Sequence, residues 1–451
     1  MNRMRPCNCY DSSIATTQSR TRRRKLSMAE TPPSVSSPFQ RHKQTKNDDR
    51  ISHLPDVLLL QILSLLPTKQ AVVTGILAKR WRPLWHGLSV LDFDDESPLD
   101  RSGSSDQRDE PNHQNPVGFA QFVYSVLLLN DAPSITHFRL SCVQFVHQES
   151  SAQDIATWLC HVVRRGVENV DLRLSLSRYV ALPRRLFNCE SLSVMKLDGV
   201  FLNALSSFSM RLPLLKVLHV GDRVVFGCHD YIVKLLAGCP VLEDLVLEST
   251  YSDACGGTVC AKGNFELDLK HLSRAKIGFS WKEACQKSML RVFQALSNVT
   301  CLSLSPSTVA CLKYASTSDI PVFDNLTQLE ISFGNYYWDL LANFLQRAHK
   351  LEVLMIYKES QKNVKGQEPR WSHPLSPPEC LSSHLKTFCL KEYQGLETEL
   401  DFIGYIMQNA RVLERMTICI SSSLDLEEKL QIRRHLSILQ RNFETCQIVF
   451  H

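Results

Sequence analysis

Leu351-Glu-Val-Leu-Met-Ile356 sets three apolar side chains at spacings of three and two, and this short pattern decides the fold. It occurs eleven times between residues 135 and 418. The sets are Ile135/Phe138/Leu140, Val167/Val170/Leu172, Leu192/Met195/Leu197, Leu215/Leu218/Val220, Leu242/Leu245/Leu247, Leu272/Ala275/Ile277, Val299/Leu302/Leu304, Leu326/Leu329/Ile331, Leu351/Leu354/Ile356, Leu385/Phe388/Leu390 and Leu413/Met416/Ile418. Their starts lie 23 to 34 residues apart. The last two members of each set share one face of a strand. One such strand cannot bury its face alone, but strands stacked at about 4.8 Å share a continuous core. Parallel stacking requires crossovers. Tyr231–Leu236, Leu290–Leu296 and Leu340–Leu345 read as helices that supply them.

The expected fold is therefore α/β, a leucine-rich-repeat solenoid with parallel strands on the concave face and helices on the convex face. Such repeats run about 20–29 residues, so several of these are stretched. The rival for alternating strands and helices is a doubly wound nucleotide-binding enzyme. It would carry GxGxxG or GxxxxGK[ST] after a strand, and neither occurs. Towards the end of the chain, 399–409 and 424–440 read as helices and Cys446–Phe450 as an edge strand. Solenoids need such closing caps to stay soluble.

Residues 47–95 read as a short all-helical module ahead of the repeats. Pro55 suits a first helical turn. The run Leu58, Leu59, Ile62, Leu63, Leu65, Leu66 is too apolar for a one-sided surface helix, and Pro67 stops it. Thr68 is a candidate N-cap for a second helix over Lys69–Ile76. A third piece, Ala78–Trp85, sets Trp81 and Trp85 four residues apart on one face. Three such short helices cannot cover that much Leu and Trp themselves. The excess marks either a partner surface or packing against the repeats.

Across 451 residues, 44% hydrophobic and 22% charged, the chain reads as soluble and globular. The net charge of +5 misleads. Residues 1–46 hold ten Arg or Lys against two acids, or +8, which leaves the other 405 residues at −3. The folded part thus has no overall basic bias towards nucleic acid. No apolar run approaches the roughly 20 residues needed to cross a bilayer. The 16 cysteines form no paired CxxC array and read as reduced thiols of a cytoplasmic or nuclear protein. Cys255, Cys260 and His271 lack the second half of a zinc pattern, so no metal is expected. The basic tail reads as disordered. An organelle transit peptide, a nuclear address at Arg20–Lys25 and a true start at Met28 remain open for it.

The order Leu54-Pro55-Asp56, Ile62-Leu63-Ser64-x-Leu66-Pro67-Thr68-Lys69-x-Ala71-Val72, Lys79-Arg80-Trp81-Arg82-x-Leu84-Trp85 resembles the F-box of plant proteins. Gly75 departs from the pattern, which usually carries Ser there. The resemblance continues through Arg165-Gly-Val167 and Leu236-Ala-Gly-Cys-Pro-Val-Leu-Glu-Asp-Leu245, as in plant F-box proteins with leucine-rich repeats. Cys380–Lys386 and Asn409–Ile418 resemble the FBD module that ends such chains. The expected domains are a tail at 1–46, an F-box at 47–95, a linker at 96–116, repeats at 117–380 and an FBD-like cap at 381–451.

In that family the F-box docks on a Skp-type adaptor, which docks on a cullin of a ubiquitin ligase. The resemblance implies docking through Leu54, Pro55, Leu58, Ile62, Leu63, Leu66, Pro67, Val72, Leu77, Trp81 and Trp85, some of which must hold the helices together instead. No cofactor, nucleic acid or membrane partner is expected. Strand residues that flank the buried pairs point to the concave face. Arg139, Asp171, Arg173, Lys196, His219, Asp244, Glu248, Arg274, Lys276, Glu330 and Tyr357 are the candidates there for binding a protein substrate. Their signs are mixed, so no single-sign ligand is indicated. No catalytic constellation stands out, and the expected role is a non-catalytic substrate receptor. A scaffold that sequesters its partner and a small-molecule sensor are the alternatives.

Overall fold

The computed structural model describes residues 51, 53–95, 116–142, 151–174, 180–202, 209–226, 230–248, 250–251, 266–278, 286–312, 319–333, 337–359, 371, 373–374, 376–441 and 447–450. The basic tail, nearly all of the 96–116 linker, and Cys255 and Cys260 lie outside them. The chain divides into compact units at Met1–His53 and Leu54–His451. Of the first, only Ile51 and His53 are described, both exposed.

Among the described residues, the second unit is built on one sheet of thirteen strands whose spatial order is their chain order. They are β1 (Val90–Asp94), β2 (His137–Cys142), β3 (Asn169–Leu174), β4 (Val194–Asp198), β5 (Val217–Val220), β6 (Asp244–Leu247), β7 (Arg274–Ile277), β8 (Cys301–Leu304), β9 (Gln328–Phe333), β10 (Val353–Lys358), β11 (Thr387–Tyr393), β12 (Arg415–Ile420) and β13 (Gln447–Phe450). Every neighbouring pair is parallel. Each of the eleven apolar sets ends in a strand from β2 to β12. The pairing matches like positions, so Met195 faces Leu218, which faces Leu245, which faces Ala275. All members of the eleven sets are buried, Leu413 being the most exposed at 6%.

Two strands lie beyond the eleven. β13 pairs with β12 where an edge strand was expected. β1 was read as the end of the helical module, yet Leu88, Leu91 and Phe93 repeat the spacing of three and two and are buried. The module is thus fused to the first strand of the sheet.

A second ladder runs just ahead of the strands. The residue after the first apolar member donates its amide to the same position one repeat earlier. Thr136 N bonds Ser89 O at 2.8 Å, and Ser193 N bonds Glu168 O at 2.7 Å. The chain continues through Lys216, Glu243, Ser273, Thr300, Thr327, Glu352 and Lys386 to Glu414. Hydroxyls of Thr136, Ser193, Ser273, Thr300 and Thr327 add bonds to the same carbonyls at 2.9–3.2 Å.

Helices cover one sheet face. They include α1 (Asp56–Leu63) and α2 (Thr68–Val73) in the module, then α3 (Pro116–Leu129), α4 (Ser151–Arg164), α5 (Asp230–Ala237), α6 (Gln286–Gln294), α7 (Pro306–Leu312), α8 (Trp338–Arg347), α9 (Glu379–Ser383), α10 (Glu397–Asn409) and α11 (Leu426–Arg441). Where the chain turns away from the main sheet after β3, β4, β5 and β6, four short parallel strands (Val180–Ala181, Val200–Leu202, Val225–Phe226, Thr250–Tyr251) form a minor sheet. Gly199 makes one such turn at φ +72°, and a Cβ there would overlap the Leu174 carbonyl oxygen. Only glycine meets both conditions.

The module departs from the expected three helices in two places. Thr68 is not an N-cap: it lies inside α2, and its Oγ1 accepts the Asp92 amide at 2.7 Å, tying α2 to β1. The third piece is turns followed by a 3-10 segment, Leu84–Gly87. Pro83 lacks the amide that a helix would need there. Gly75 lies in a 3-10 turn, Thr74–Ile76, where a Cβ would meet the Arg82 Cα at 3.3 Å. The missing side chain lets these two segments approach closely.

One buried ion pair joins the repeats to the C-terminal region. Lys358, the last residue of β10, and Glu399, in the first turn of α10, are both buried, at 3% and 0% exposure. Lys358 Nζ bonds Glu399 Oε1 directly and Gln394 Oε1 at 3.4 Å. The other carboxylate oxygen accepts the amides of Leu396 at 2.9 Å and Gln394 at 3.1 Å. Removing one partner of such a pair leaves a buried charge and costs about 3–5 kcal/mol, while replacing both with apolar residues is often neutral. Lys358→Met alone should therefore lower stability by about 3–5 kcal/mol in urea unfolding. Lys358→Met combined with Glu399→Leu should recover most of it.

Candidate functional site

The helical module leaves two apolar stripes uncovered. On α1 and just beyond, Leu58, Ile62 and Leu65 fall at i, i+4 and i+7, one helix face. Val57 lies beside them. At the end of α2 and just beyond, Val73, Ile76 and Leu77 form a second stripe at i, i+3 and i+4. Leu65, Ile76 and Leu77 are 83%, 81% and 74% exposed. Beneath them Leu59, Leu63, Ala71, Trp81 and Leu84 form the module's own core. Arg80 pins the start of α1, donating from Nε to Asp56 Oδ1 at 2.9 Å and from Nη2 to Leu54 O at 2.6 Å.

The residues read from the sequence as docking candidates thus sort into three groups. Pro55, Leu58, Ile62 and Leu77 are exposed. Leu54, Leu66, Pro67, Val72 and Trp85 are half-buried, and Leu63 and Trp81 are buried. Val57, Leu65, Val73 and Ile76 stand outside that set and are exposed as well. Helical phase finds three of these, since Leu65 continues the Leu58–Ile62 stripe while Leu59 and Leu63 run inward.

The face of the sheet away from the helices is open. Its central row, in strand register, reads Asp92, Arg139, Asp171, Lys196, His219, Val246, Lys276, Ser303, Glu330, Met355, Cys389, Thr417. Asp244 and Arg274 are neighbours in the row nearer the strand starts. Arg173 and Tyr357 lie in the row nearer the strand ends, and Glu248 follows β6. The substrate candidates therefore share one surface, and much of its charge is internally matched. Arg139 Nη1 reaches both Asp92 oxygens at 2.9 and 3.0 Å. Arg173 lies 3.4 Å from Asp171, Arg274 2.7 Å from Asp244 and Lys276 2.5 Å from Glu248. Burial pushes the Asp92 carboxyl up although Arg139 pulls it down. Burial also holds His219 below its usual value, more than Asp244 at 3.6 Å raises it. His219 is then neutral at pH 7.

The open face changes character along its length. A hollow of about 200 Å³ between β6 and β9 is lined by Asp244, Arg274, Lys276, Cys301, Ser303, Gln328 and Glu330. Beyond it the row turns to Met355, Cys389 and Thr417. Lys391 Nζ donates to Tyr357 Oη at 3.0 Å and lies 4.4 Å from that ring's centre. Burial, with Cys419 beside it, pushes the Cys389 thiol up. Among the described residues no cluster of three metal-ligating side chains occurs, and no helix is long and apolar enough to cross a membrane.

Comparison with known proteins follows the same division. The F-box domain matches residues 51–92, the leucine-rich repeats of FBD-associated F-box protein At5g56370 match 155–262, and FBD matches 373–418. The putative FBD-associated F-box protein At3g50710 of Arabidopsis thaliana is 30% identical over 454 residues, covering 89% of this chain and 99% of its own. The chain belongs to the plant F-box/FBD/LRR-repeat family. Two further relatives from Arabidopsis thaliana are similar along nearly their whole lengths. F-box/FBD/LRR-repeat protein At5g56420 is 28% identical over 89% of this chain and 99% of its own. F-box/FBD/LRR-repeat protein At2g04230 is 29% identical over 90% and 97%. In this F-box/FBD/LRR-repeat chain, the F-box match encloses both exposed stripes and ends within β1. The FBD match begins after β10 and contains Glu399 but not Lys358, so the buried ion pair spans its border with the repeats.

Burial separates two classes of substitution in the F-box. Leu63→Ala should cost about 2–5 kcal/mol, as buried leucines do. Ile76→Ala and Leu77→Ala should each change stability by less than about 0.5 kcal/mol. Denaturant unfolding of the purified variants separates the two.

Proposed function

We propose that this chain is the substrate-recruiting subunit of a Skp–cullin–F-box ubiquitin ligase. The observation that carries the reading is the pair of exposed stripes on the F-box. Large apolar side chains left open in so small a module mark a protein-binding surface. Val57, Leu58, Ile62, Leu65, Val73, Ile76 and Leu77 are the residues we assign to the Skp-type adaptor. Leu63 and Trp81 would act from beneath, by holding those residues in place. The cullin is reached only through the adaptor.

The open sheet face is the surface we assign to the protein substrate. Its matched ion pairs are weak in water, roughly 0–1 kcal/mol each, so a partner can exchange them without unfolding the sheet. The chain does no chemistry of its own. Its contribution is proximity, holding a substrate lysine near a charged conjugating enzyme and replacing an encounter from solution with an intramolecular one.

Ile76→Asp with Leu77→Asp should abolish co-purification of the adaptor while the repeats keep their thermal transition. Retained adaptor would overturn the docking assignment. Arg173→Glu with Lys276→Glu should keep the adaptor and weaken substrate capture, read as lost proximity labelling of proteins that accumulate on proteasome inhibition. Unchanged labelling would remove the open face from the reading. A substrate that is labelled but never turned over would identify a sequestering scaffold.

A further inference from the structure

We propose that the open sheet face recruits an extended substrate segment carrying an acidic and a basic side chain about six to eight residues apart, the acid against Lys196 and the base against Glu330. The proposal deepens the recruiting role and rests on it. Lys196 lies on β4 and Glu330 on β9, both half-buried in the central row of that face. Among the described residues they are the two charged members of the row that make no ion pair or hydrogen bond. The other charges there are met. Asp92 pairs with Arg139, Asp171 with Arg173 and Lys276 with Glu248.

The neighbours that could neutralise the two are engaged elsewhere. Asp171 faces Lys196 in the register but takes Arg173 at 3.4 Å. Asp198, two residues beyond Lys196, binds Arg223. Arg274 and Lys276 line the same hollow as Glu330, yet Arg274 meets Asp244 and Lys276 meets Glu248. Ser303 stands between Lys276 and Glu330 in the row. Its short side chain leaves the hollow of about 200 Å³ open to the end of a lysine or arginine. The class of partner follows from the two signs. A polyanion would satisfy Lys196 and be repelled at Glu330, whereas a protein segment carries both charges on one chain.

The spacing comes from the sheet. Five gaps separate β4 from β9, or roughly 24 Å at about 4.8 Å per gap. An extended chain advances about 3.3 Å per residue and returns a side chain to the same face every second residue. Spacings of about six and about eight residues therefore reach both anchors from one face, the shorter with its side chains splayed apart. Between the anchors the row reads His219, Val246, Lys276 and Ser303. His219 is neutral, Val246 apolar, Lys276 compensated and Ser303 small, so the middle of the segment meets no net charge. The strands β5 to β8 hold four residues each. The face there is about 13 Å wide, room for one chain laid across the strands.

The test uses the full-length chain with its co-purified adaptor. Immobilised peptide libraries hold one Glu and one Lys at a graded series of spacings, with mixed Ala, Ser, Thr and Val elsewhere. Companion libraries hold two Glu or two Lys. Retention of the wild-type chain at low salt should peak for the Glu/Lys set at about six to eight residues, up to about fivefold above a spacing of about three, which reaches one anchor at a time. The peak should shrink as salt rises. Lys196→Glu should move the preference to two Lys at the same spacing, and Glu330→Lys to two Glu. Both variants should keep their melting temperature and adaptor content, and a gained preference of this kind cannot come from a misfolded face. Retention that ignores spacing, that follows only the net charge of the peptide, or that keeps its Glu/Lys preference through both substitutions would overturn the proposal. Loss of adaptor from the wild-type preparation would count against the ligase reading and leave the spacing result standing.

Discussion

The structure hangs on backbone hydrogen bonds between equivalent positions of successive repeats. Each polar residue just inside a repeat donates its amide one repeat back, from Thr136 to Ser89 through to Glu414 to Lys386. Those bonds set where each strand begins, and the strand register follows from them. A shift of one residue would turn every buried pair to the open side. The buried columns therefore depend on polar atoms at their margin, and the hydroxyls of Ser and Thr at that margin reinforce the same carbonyls. Because each repeat touches mainly its neighbours, the arrangement tolerates stretched repeats as long as the first few residues of each keep their contacts.

Much of this was legible in the sequence, for a physical reason. A spacing of three and two in apolar residues encodes a turn followed by one face of a strand, and all eleven sets behave accordingly. The first strand was hidden because Leu88, Leu91 and Phe93 sit inside an already apolar module, where one more triplet does not stand out. The last was legible only by its β-rich composition, since Thr445 takes the place of the first apolar residue. The helical module was harder. Composition showed that it held more apolar surface than it could cover, but Leu59 and Leu58 look alike in a sequence. Only the helix phase separates the inward Leu63 from the outward Ile62.

The charges told less than their number suggested. Listing strand residues identified a shared surface, yet did not show that Arg139, Arg173, Arg274 and Lys276 would each find an acid on it. Those pairs link positions 2 to 47 residues apart in the chain, and no local pattern announces them. The same holds for Lys358 and Glu399. Both look like ordinary surface residues until a strand end and a helix start are brought together. There, two backbone amides complete the carboxylate's shell and make the burial tolerable.

The junction between α2 and β1 has a consequence for distance. Because the Thr68 hydroxyl holds the Asp92 amide, the F-box does not swing on a tether but continues the first rung of the sheet. Thirteen strands leave twelve gaps, so at about 4.8 Å per gap the far edge stands roughly 60 Å along the stack from the F-box end. A partner seated on a given strand is then held at a height counted in repeats. The number of repeats in such a chain works as a graduated scale, and gaining or losing one would raise or lower whatever it carries by a single fixed step.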